Sequence, residues 1–157
     1  MPKKPELSHV GRDGRARMVD VSAKAVTVRE AVASARIRIA PAAMRLVRAG
    51  RLAKGPVEEV ARLAGVMAAK RTADVIPLCH PLPLSFVDVE LRPRRDGFAI
   101  TARVRTEAKT GAEMEALHAV TVAALTVWDM VKAADPRMEI GSVVLRRKTG
   151  GKEDFRR

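Results

Sequence analysis

Residues 112–134 constrain the fold more than any other segment, because the helix that they predict is apolar on nearly every side. Thr110-Gly111 precede this helix and Asp135-Pro136 end it. Its apolar side chains are Ala116, Leu117, Val120, Val122, Ala123, Leu125, Val127, Trp128 and Met130. A helix that is apolar all round is buried in a fold, and the carboxylates that it carries need partners there.

Two such carboxylates, Glu115 and Asp129, lie near opposite ends of the helix. They are 14 residues apart, close to four turns, so they share a face but are separated by about 21 Å. Lys132 follows Asp129 by three residues and shares that face. A small substrate cannot touch both ends of one straight helix. Either the carboxylates have different roles, or a second copy of the chain brings its own helix end alongside. The alternative is a solvated charged face.

The remaining segments predict an alternation of strands and helices. Strands are predicted at 18–21, 27–40, 85–91, 98–106 and 138–148, helices at 41–50 and about 54–73, and a hairpin turn at 95–97. This order predicts an α+β fold, a ferredoxin-like sandwich with helices packed on one face of an antiparallel sheet. We expect a single domain over 1–157, with a flexible arm at about 1–15 and a tail at about 150–157. Strands this apolar predict oligomerisation through the other sheet face.

A loop bounded by prolines follows the second helix. Pro77, Pro81 and Pro83 exclude a regular helix, because proline lacks a backbone donor and its φ is fixed. Between the first two stand Cys79 and His80. This loop is suited to holding an imidazole rigidly in a site. The alternative is a helix exit into an edge strand, in which His80 has no functional role.

The charge of the chain predicts an anionic partner. The net charge is +12 and the pI is near 11, which favours nucleic acid, nucleotide or phosphate. The chain has one Trp, three Phe and no Tyr, so it offers few aromatic side chains on which bases could stack. A function in phosphate chemistry is therefore favoured over recognition of nucleic-acid bases by stacking. A lone cysteine and a charged N-terminus without a following apolar core suit a cytoplasmic protein.

Lysines near helix ends predict where an anion would bind. Lys54 precedes a helix N-terminus, whose free N–H groups favour anions, and Gly55 permits close approach. Lys70 ends that helix near the proline-bounded loop. A surface turn is the alternative for Lys54-Gly55. A zinc site is not expected, because Cys79 and the three histidines lack metal-ligand spacing.

Five segments together resemble the MoaC family, the cyclic pyranopterin monophosphate synthases of molybdenum cofactor biosynthesis. They are residues 18–24 (MVDVSAK), 68–72 (AAKRT), 76–82 (IPLCHPL), 110–117 (TGAEMEAL) and 128–133 (WDMVKA). The resemblance runs from about residue 7 to 152. It implies a lyase that converts a 3′,8-cyclised GTP derivative to cyclic pyranopterin monophosphate and pyrophosphate. It also implies a ferredoxin-like fold and a hexamer, a trimer of dimers, with active sites at subunit interfaces.

The resemblance also implies roles for individual residues. The catalytic positions are Asp129, Lys54 and Lys132. The substrate-binding positions are Leu78, Cys79, His80, Glu113, Met114, Glu115, Arg29, Lys70 and Lys148. No cofactor is required, although a magnesium ion on the triphosphate stays an open alternative. Where the family usually has Asp after Lys-Gly, this chain has Pro56, which suits the first turn of a helix.

The residue chemistry agrees with such a reaction. Lys54, Lys132 and His80 are expected to bind or protonate oxygens, while Asp129 acts as a base or keeps Lys132 charged. Cys79 is expected to form a packed wall of the pocket. Two other functions compete with this one, a basic nucleic-acid-binding domain and a regulatory nucleotide-binding module without turnover.

Overall fold

The computed structural model describes residues 13–157, which form five strands and four helices. In chain order these are β1 (Thr27–Arg38), α1 (Pro41–Arg48), α2 (Val57–Lys70), α3 (Thr72–Val75), β2 (Leu84–Arg94), β3 (Gly97–Ala108), α4 (Glu113–Val131), β4 (Glu139–Thr149) and β5 (Phe155–Arg156). The strands make one sheet in the order β2-β3-β1-β4-β5, and every neighbouring pair is antiparallel. The predicted α+β fold is confirmed.

The two faces of the sheet differ because side chains alternate along each strand. Ala31, Ala33, Ala35 and Ile37 of β1 are buried under the helices, as are the alternate residues of β3 from Phe98 to Val104. The opposite face carries exposed arginines of β1 and β3 beside the exposed apolar side chains of Val28 and Phe86. This uncovered face is therefore mixed in character, and oligomerisation through it stays a prediction.

The long helix α4 is the centre of the core. It packs against β1, β3 and β4 on one side and against α2 on another. Its length and composition would also fit a membrane span, but half of its apolar stretch is buried inside the fold. Gly65 lets α2 approach closely, because a Cβ there would lie 2.9 Å from the backbone oxygen of Ala119. The apolar character of α4 is therefore that of a core helix.

The end of α4 is joined to the start of α1 by a buried acid. The Asp135 carboxylate accepts hydrogen bonds from the backbone N–H of Ala40 at 2.7 Å and of Arg137 at 3.0 Å. Pro41 opens α1, as predicted. These bonds lower the pKa of Asp135, since they favour its charged form.

Several predicted elements differ in the structure. Residues 18–21 do not form a strand, because local hydrogen bonds replace strand pairing: Asp20 accepts from the Ser22 N–H at 2.8 Å, and the Lys24 N–H donates to Val21. The predicted helix 54–73 ends at Lys70, and α3 follows after Arg71. The predicted tail folds back, and β5 pairs with β4. Most of the predicted arm, residues 1–12, lies outside the described residues.

The hairpin between β2 and β3 generates a stability prediction at Gly97. Its φ is +133°, which non-glycine residues rarely adopt, and a Cβ there would overlap the backbone oxygen of Ile37. Gly97→Ala should therefore lower the free energy of unfolding by about 3 kcal/mol, measured by chemical denaturation. Gly141→Ala is the control, because its Cβ would meet nothing within 4 Å. Equal stabilities of the two variants would contradict the steric argument.

Candidate functional site

The proline-bounded loop, the N-terminal end of α4 and the segment before β1 enclose a cavity of about 440 Å³, here called the His80 cavity. It is lined by Val19, Val21, Lys24, Leu78, Cys79, His80, Thr110, Gly111, Glu113, Glu115 and Lys148. Six of the predicted substrate-binding residues thus come together from three distant parts of the chain. They are Leu78, Cys79, His80, Glu113, Glu115 and Lys148.

A second cavity of about 240 Å³ adjoins the first and is here called the cationic cavity. Five basic residues, Lys24, Arg29, Lys109, Lys148 and Lys152, line it together with the two acids Glu30 and Glu113. Lys24 and Lys148 line both cavities. This excess of positive charge suits a phosphate chain whose attached group occupies the His80 cavity.

Arg29 stabilises a loop at the cationic cavity and also contributes positive charge to it. Its Nε donates to the Ala108 carbonyl at 3.0 Å, and its Nη2 donates to the Lys109 carbonyl at 3.2 Å. These bonds hold the loop between β3 and α4, which contributes Thr110 and Gly111 to both cavities. The guanidinium has five N–H donors in all, so others remain for an anion.

His80 is held by a backbone carbonyl. Its Nε2 lies 2.8 Å from the Val19 oxygen, and because a carbonyl oxygen only accepts, Nε2 carries the proton. The Cys79 N–H donates to the Ile76 carbonyl at 3.0 Å, which closes a tight turn just before His80. The Val19 carbonyl and this turn therefore orient the imidazole, while a functional role of His80 stays a prediction.

Glu115 is the most perturbed acid of the site. It is the third residue of α4 and is only 3% exposed, and its Oε2 has no hydrogen-bond partner among residues 13–157. Burial, helped by the nearby charge of Glu113, raises the pKa of Glu115 to about 7. A buried carboxyl of this kind can hold a proton near neutral pH and transfer it to a bound group.

Cys79 has the opposite character from a reactive thiol. Burial, together with the charges of Glu115 and Glu113, raises the pKa of its thiol. A thiol that stays protonated is neither a strong nucleophile nor a metal ligand. Its place in the cavity wall agrees with the packing role expected for it.

Asp129, Lys54 and Lys132 form a second cluster at the other end of α4. The Lys54 Nζ donates to Asp129 Oδ2 at 2.6 Å and to the Asp129 backbone oxygen at 2.9 Å, while the Lys132 Nζ donates to Oδ1 at 2.7 Å. Hydrogen bonds from Lys132 and Lys54 lower the pKa of Asp129 to about 2. The carboxylate is exposed and permanently charged, in contrast to Glu115.

The two clusters cannot contact one small ligand within one chain. Glu115 and Asp129 stand 14 residues apart on the continuous helix α4, which corresponds to about 21 Å along its axis. The structure thus brings the three predicted catalytic residues together, but away from the His80 cavity. One complete site from both clusters requires a second copy of the chain.

Two predicted substrate-binding residues line neither cavity. Met114 is partly exposed on α4, and Lys70 is exposed at the end of α2. Conversely, Lys24, Lys109 and Lys152 line the cationic cavity, although none of them was predicted as a site residue. A signal existed for Lys24, because it ends the first segment of the family resemblance, residues 18–24.

The part of the chain that the structure describes offers no cluster of metal ligands. Within residues 13–157, no three His, Cys, Asp or Glu side chains stand together as potential metal ligands. The two carboxylates of the cationic cavity form salt bridges instead. Glu30 pairs with Arg105 and Arg147, and Glu113 pairs with Lys148 at 3.3 Å.

Comparison with known proteins shows the family of the chain. The model of the MoaC family matches residues 18–151. The chain belongs to the MoaC family. A cyclic pyranopterin monophosphate synthase from Nostoc sp. is 55% identical over 148 residues, covering 93% of this chain and 88% of the relative. Enzymes of the same name are 55% identical in Thermomicrobium roseum, covering 94% of this chain and 90% of that one, and 53% identical in Brevibacillus brevis, covering 97% and 96%.

The raised pKa of Glu115 predicts how stability depends on pH. The folded state holds this proton up to about pH 7, whereas an ordinary glutamate releases it near 4.5. Between these values the folded state binds more protons than the unfolded state, so the free energy of unfolding falls as pH rises through this window and then levels. The expected fall is roughly 3 kcal/mol.

Glu115→Gln should remove this fall, because glutamine has no proton to lose. The measurement is urea denaturation at about pH 4 and pH 8, which bracket the window. Glu107→Gln on the exposed face of β3 is the matched control, and its profile should run parallel to that of the wild type. If Glu115→Gln also runs parallel to the wild type, Glu115 does not hold the proton.

Proposed function

We propose that this protein is a cyclic pyranopterin monophosphate synthase, a lyase of molybdenum cofactor biosynthesis. Its substrate is (8S)-3′,8-cyclo-7,8-dihydroguanosine 5′-triphosphate, and its products are cyclic pyranopterin monophosphate and pyrophosphate. The observation that carries the proposal is the adjacency of the His80 cavity, with its proton-holding carboxyl, to the cationic cavity. Membership of the MoaC family supports it throughout. Nothing in the two cavities favours a nucleic-acid strand.

The phosphate chain of the substrate belongs in the cationic cavity. Arg29, Lys109, Lys148 and Lys152 offer charge there, and Lys24 stands at its junction with the His80 cavity. Charge-assisted hydrogen bonds from these groups would neutralise the leaving pyrophosphate while the cyclic phosphate closes. We infer that magnesium, if present, binds the triphosphate and is not a resident cofactor.

The ring rearrangement requires several proton transfers, and the two clusters offer opposite proton states. Glu115 can donate or accept a proton near neutral pH, because burial keeps it weakly acidic. Asp129 accepts hydrogen bonds from Lys54 and Lys132, whose ammonium groups would bind or protonate substrate oxygens. We propose that Asp129, Lys54 and Lys132 act on substrate bound to a neighbouring copy of the chain.

Such a site implies a particular assembly. We propose a hexamer, a trimer of dimers, with each active site shared between two subunits in the cytoplasm. We also assign the fold to the ferredoxin-like type, supported by the order β-α-β-β-α-β and the sheet order β2-β3-β1-β4. In a symmetric dimer, each subunit gives its Asp129 end to one site and its Glu115 end to the other.

Loss of either lysine beside Asp129 should abolish turnover without unfolding the protein. Lys54→Ala and Lys132→Ala are each expected to lower kcat/KM at least ~100-fold, because oxygens that develop charge lose a cationic partner. The assay incubates enzyme with the cyclised triphosphate and detects pterin product and pyrophosphate. Arg45→Ala, in the last turn of α1, removes a cation that lines neither cavity and is not bonded to Asp129, and it should retain full activity. Full activity of both lysine variants would remove them from the mechanism.

Mixing two inactive variants tests the shared site directly. Glu115→Ala and Asp129→Ala subunits, exchanged at random, give mixed dimers in which one of two sites keeps both residues. About a quarter of all sites should then be intact, so about a quarter of wild-type activity should return. Subunit exchange is verified by native mass spectrometry. Exchange without recovered activity would mean that each chain holds a complete site.

A further inference from the structure

Residues 19–24, here called the strap, run along the His80 cavity without forming a helix or a strand. Two of its backbone carbonyls accept hydrogen bonds from side chains of other segments. The Val19 oxygen lies 2.8 Å from His80 Nε2, and the Ser22 oxygen accepts from Lys109 Nζ at 2.7 Å. The strap is thus fastened to the proline-bounded loop at one end and to the loop before α4 near the other.

The strap also holds its own shape. Asp20 Oδ1 accepts from the Ser22 N–H at 2.8 Å, and the Lys24 N–H donates to the Val21 carbonyl at 3.0 Å. The first bond is that of an Asx turn and the second is that of a β-turn, and together they fix a short segment without a strand partner. Two consecutive turns therefore set where the Val19 oxygen and the Lys24 side chain lie.

The bond to Val19 has a chemical consequence for His80. Since the carbonyl accepts, the proton of the neutral imidazole sits on Nε2, and Nδ1 is left as an acceptor. Nδ1 has no hydrogen-bond partner among residues 13–157, while the His80 side chain lines the cavity. The Val19 carbonyl thus selects the tautomer of His80 and orients its ring, as a carboxylate does beside many functional histidines.

We propose that the strap is a positioning element: its Val19 carbonyl fixes His80 so that Nδ1 faces the substrate, and its turns place Lys24 where the phosphate chain meets the ring. Asp20, Ser22 and Lys109 are positioning residues, because they hold the strap and act through His80 and Lys24. Only the identity of the substrate rests on the proposed function. The tautomer and the order of the strap are properties of the free protein.

The tautomer is tested on the unmodified protein. Nitrogen NMR of the ¹⁵N-histidine-labelled full chain at about pH 8.5, where a neutral imidazole is observed, distinguishes the two tautomers. The His80 signals are assigned by their loss in His80→Gln. The expected result is a protonated Nε2 and an unprotonated Nδ1. A protonated Nδ1 would overturn the proposal, whatever the activity of the protein.

The role of the strap is tested by a pair of substitutions at Asp20, which lines neither cavity. Asp20→Ala removes the acceptor of the Ser22 N–H, whereas Asp20→Asn keeps an oxygen at the same place. We expect Asp20→Ala to lower kcat about tenfold and to mix the two His80 tautomers, because a displaced orienting group commonly costs about 10–100-fold. Asp20→Asn should stay within about twofold of the wild type.

Hydrogen exchange supplies a readout that does not depend on turnover. Amides of residues 20–24 should exchange at least ~10-fold faster in Asp20→Ala than in Asp20→Asn, while those of α4 stay unchanged. Unchanged exchange and an unchanged tautomer in Asp20→Ala would overturn the proposal. If the strap behaves as expected but the wild type does not convert the cyclised triphosphate, the proposed function fails and the strap does not.

Discussion

Burial of α4 between the sheet and α2 is the interaction on which the rest of this structure depends. Alanines and valines of the helix face β1, β3 and β4, and Gly65 lets α2 come close on its other side. Because α4 is one continuous helix, it holds its two ends at a fixed separation. Each end then anchors one functional cluster, Glu115 in the His80 cavity and Asp129 beside two lysines. The same packing that stabilises the core therefore sets the geometry of the site.

A carboxyl group stands at each end of α4, and its pKa is shifted in opposite directions at the two ends. At Glu115, burial and a nearby carboxylate favour the neutral acid, so its pKa rises to about 7. At Asp129, exposure and two lysine hydrogen bonds favour the anion, so its pKa falls to about 2. A site assembled from both ends, each given by a different subunit, would contain a proton carrier and a fixed negative charge that orders cations. Such a pairing suits a reaction with several proton transfers and a departing pyrophosphate.

Much of the fold could be predicted from local patterns. The period of apolar residues marked β1, β2, β3, β4 and α4 to within a few residues, and Pro41 and the turn before Gly97 marked boundaries correctly. The failures share one physical cause. At residues 18–21 the alternation suggested a strand, but Asp20 and distant side chains satisfy that backbone instead. The path of the chain beyond Gly150 depended on the pairing of β5 with β4, and β5 has only two residues, too few to show an apolar period.

The sequence by itself determined the α+β class, the burial of α4, the wide separation of Glu115 from Asp129 and, through five matching segments, the family resemblance. These follow from spacing along the chain, since helix rise and strand alternation are local geometry. Only the tertiary structure decided that the segment before β1 joins the cavity, that Lys24 and Lys109 lie with Arg29 and Lys148, and that His80 is tethered to Val19. It also decided that the pKa of Glu115 lies above the usual carboxyl range and that of Asp129 below it. The burial of Glu115 and the hydrogen bond from Lys54 to Asp129 arise only when distant segments pack together, and both change a pKa.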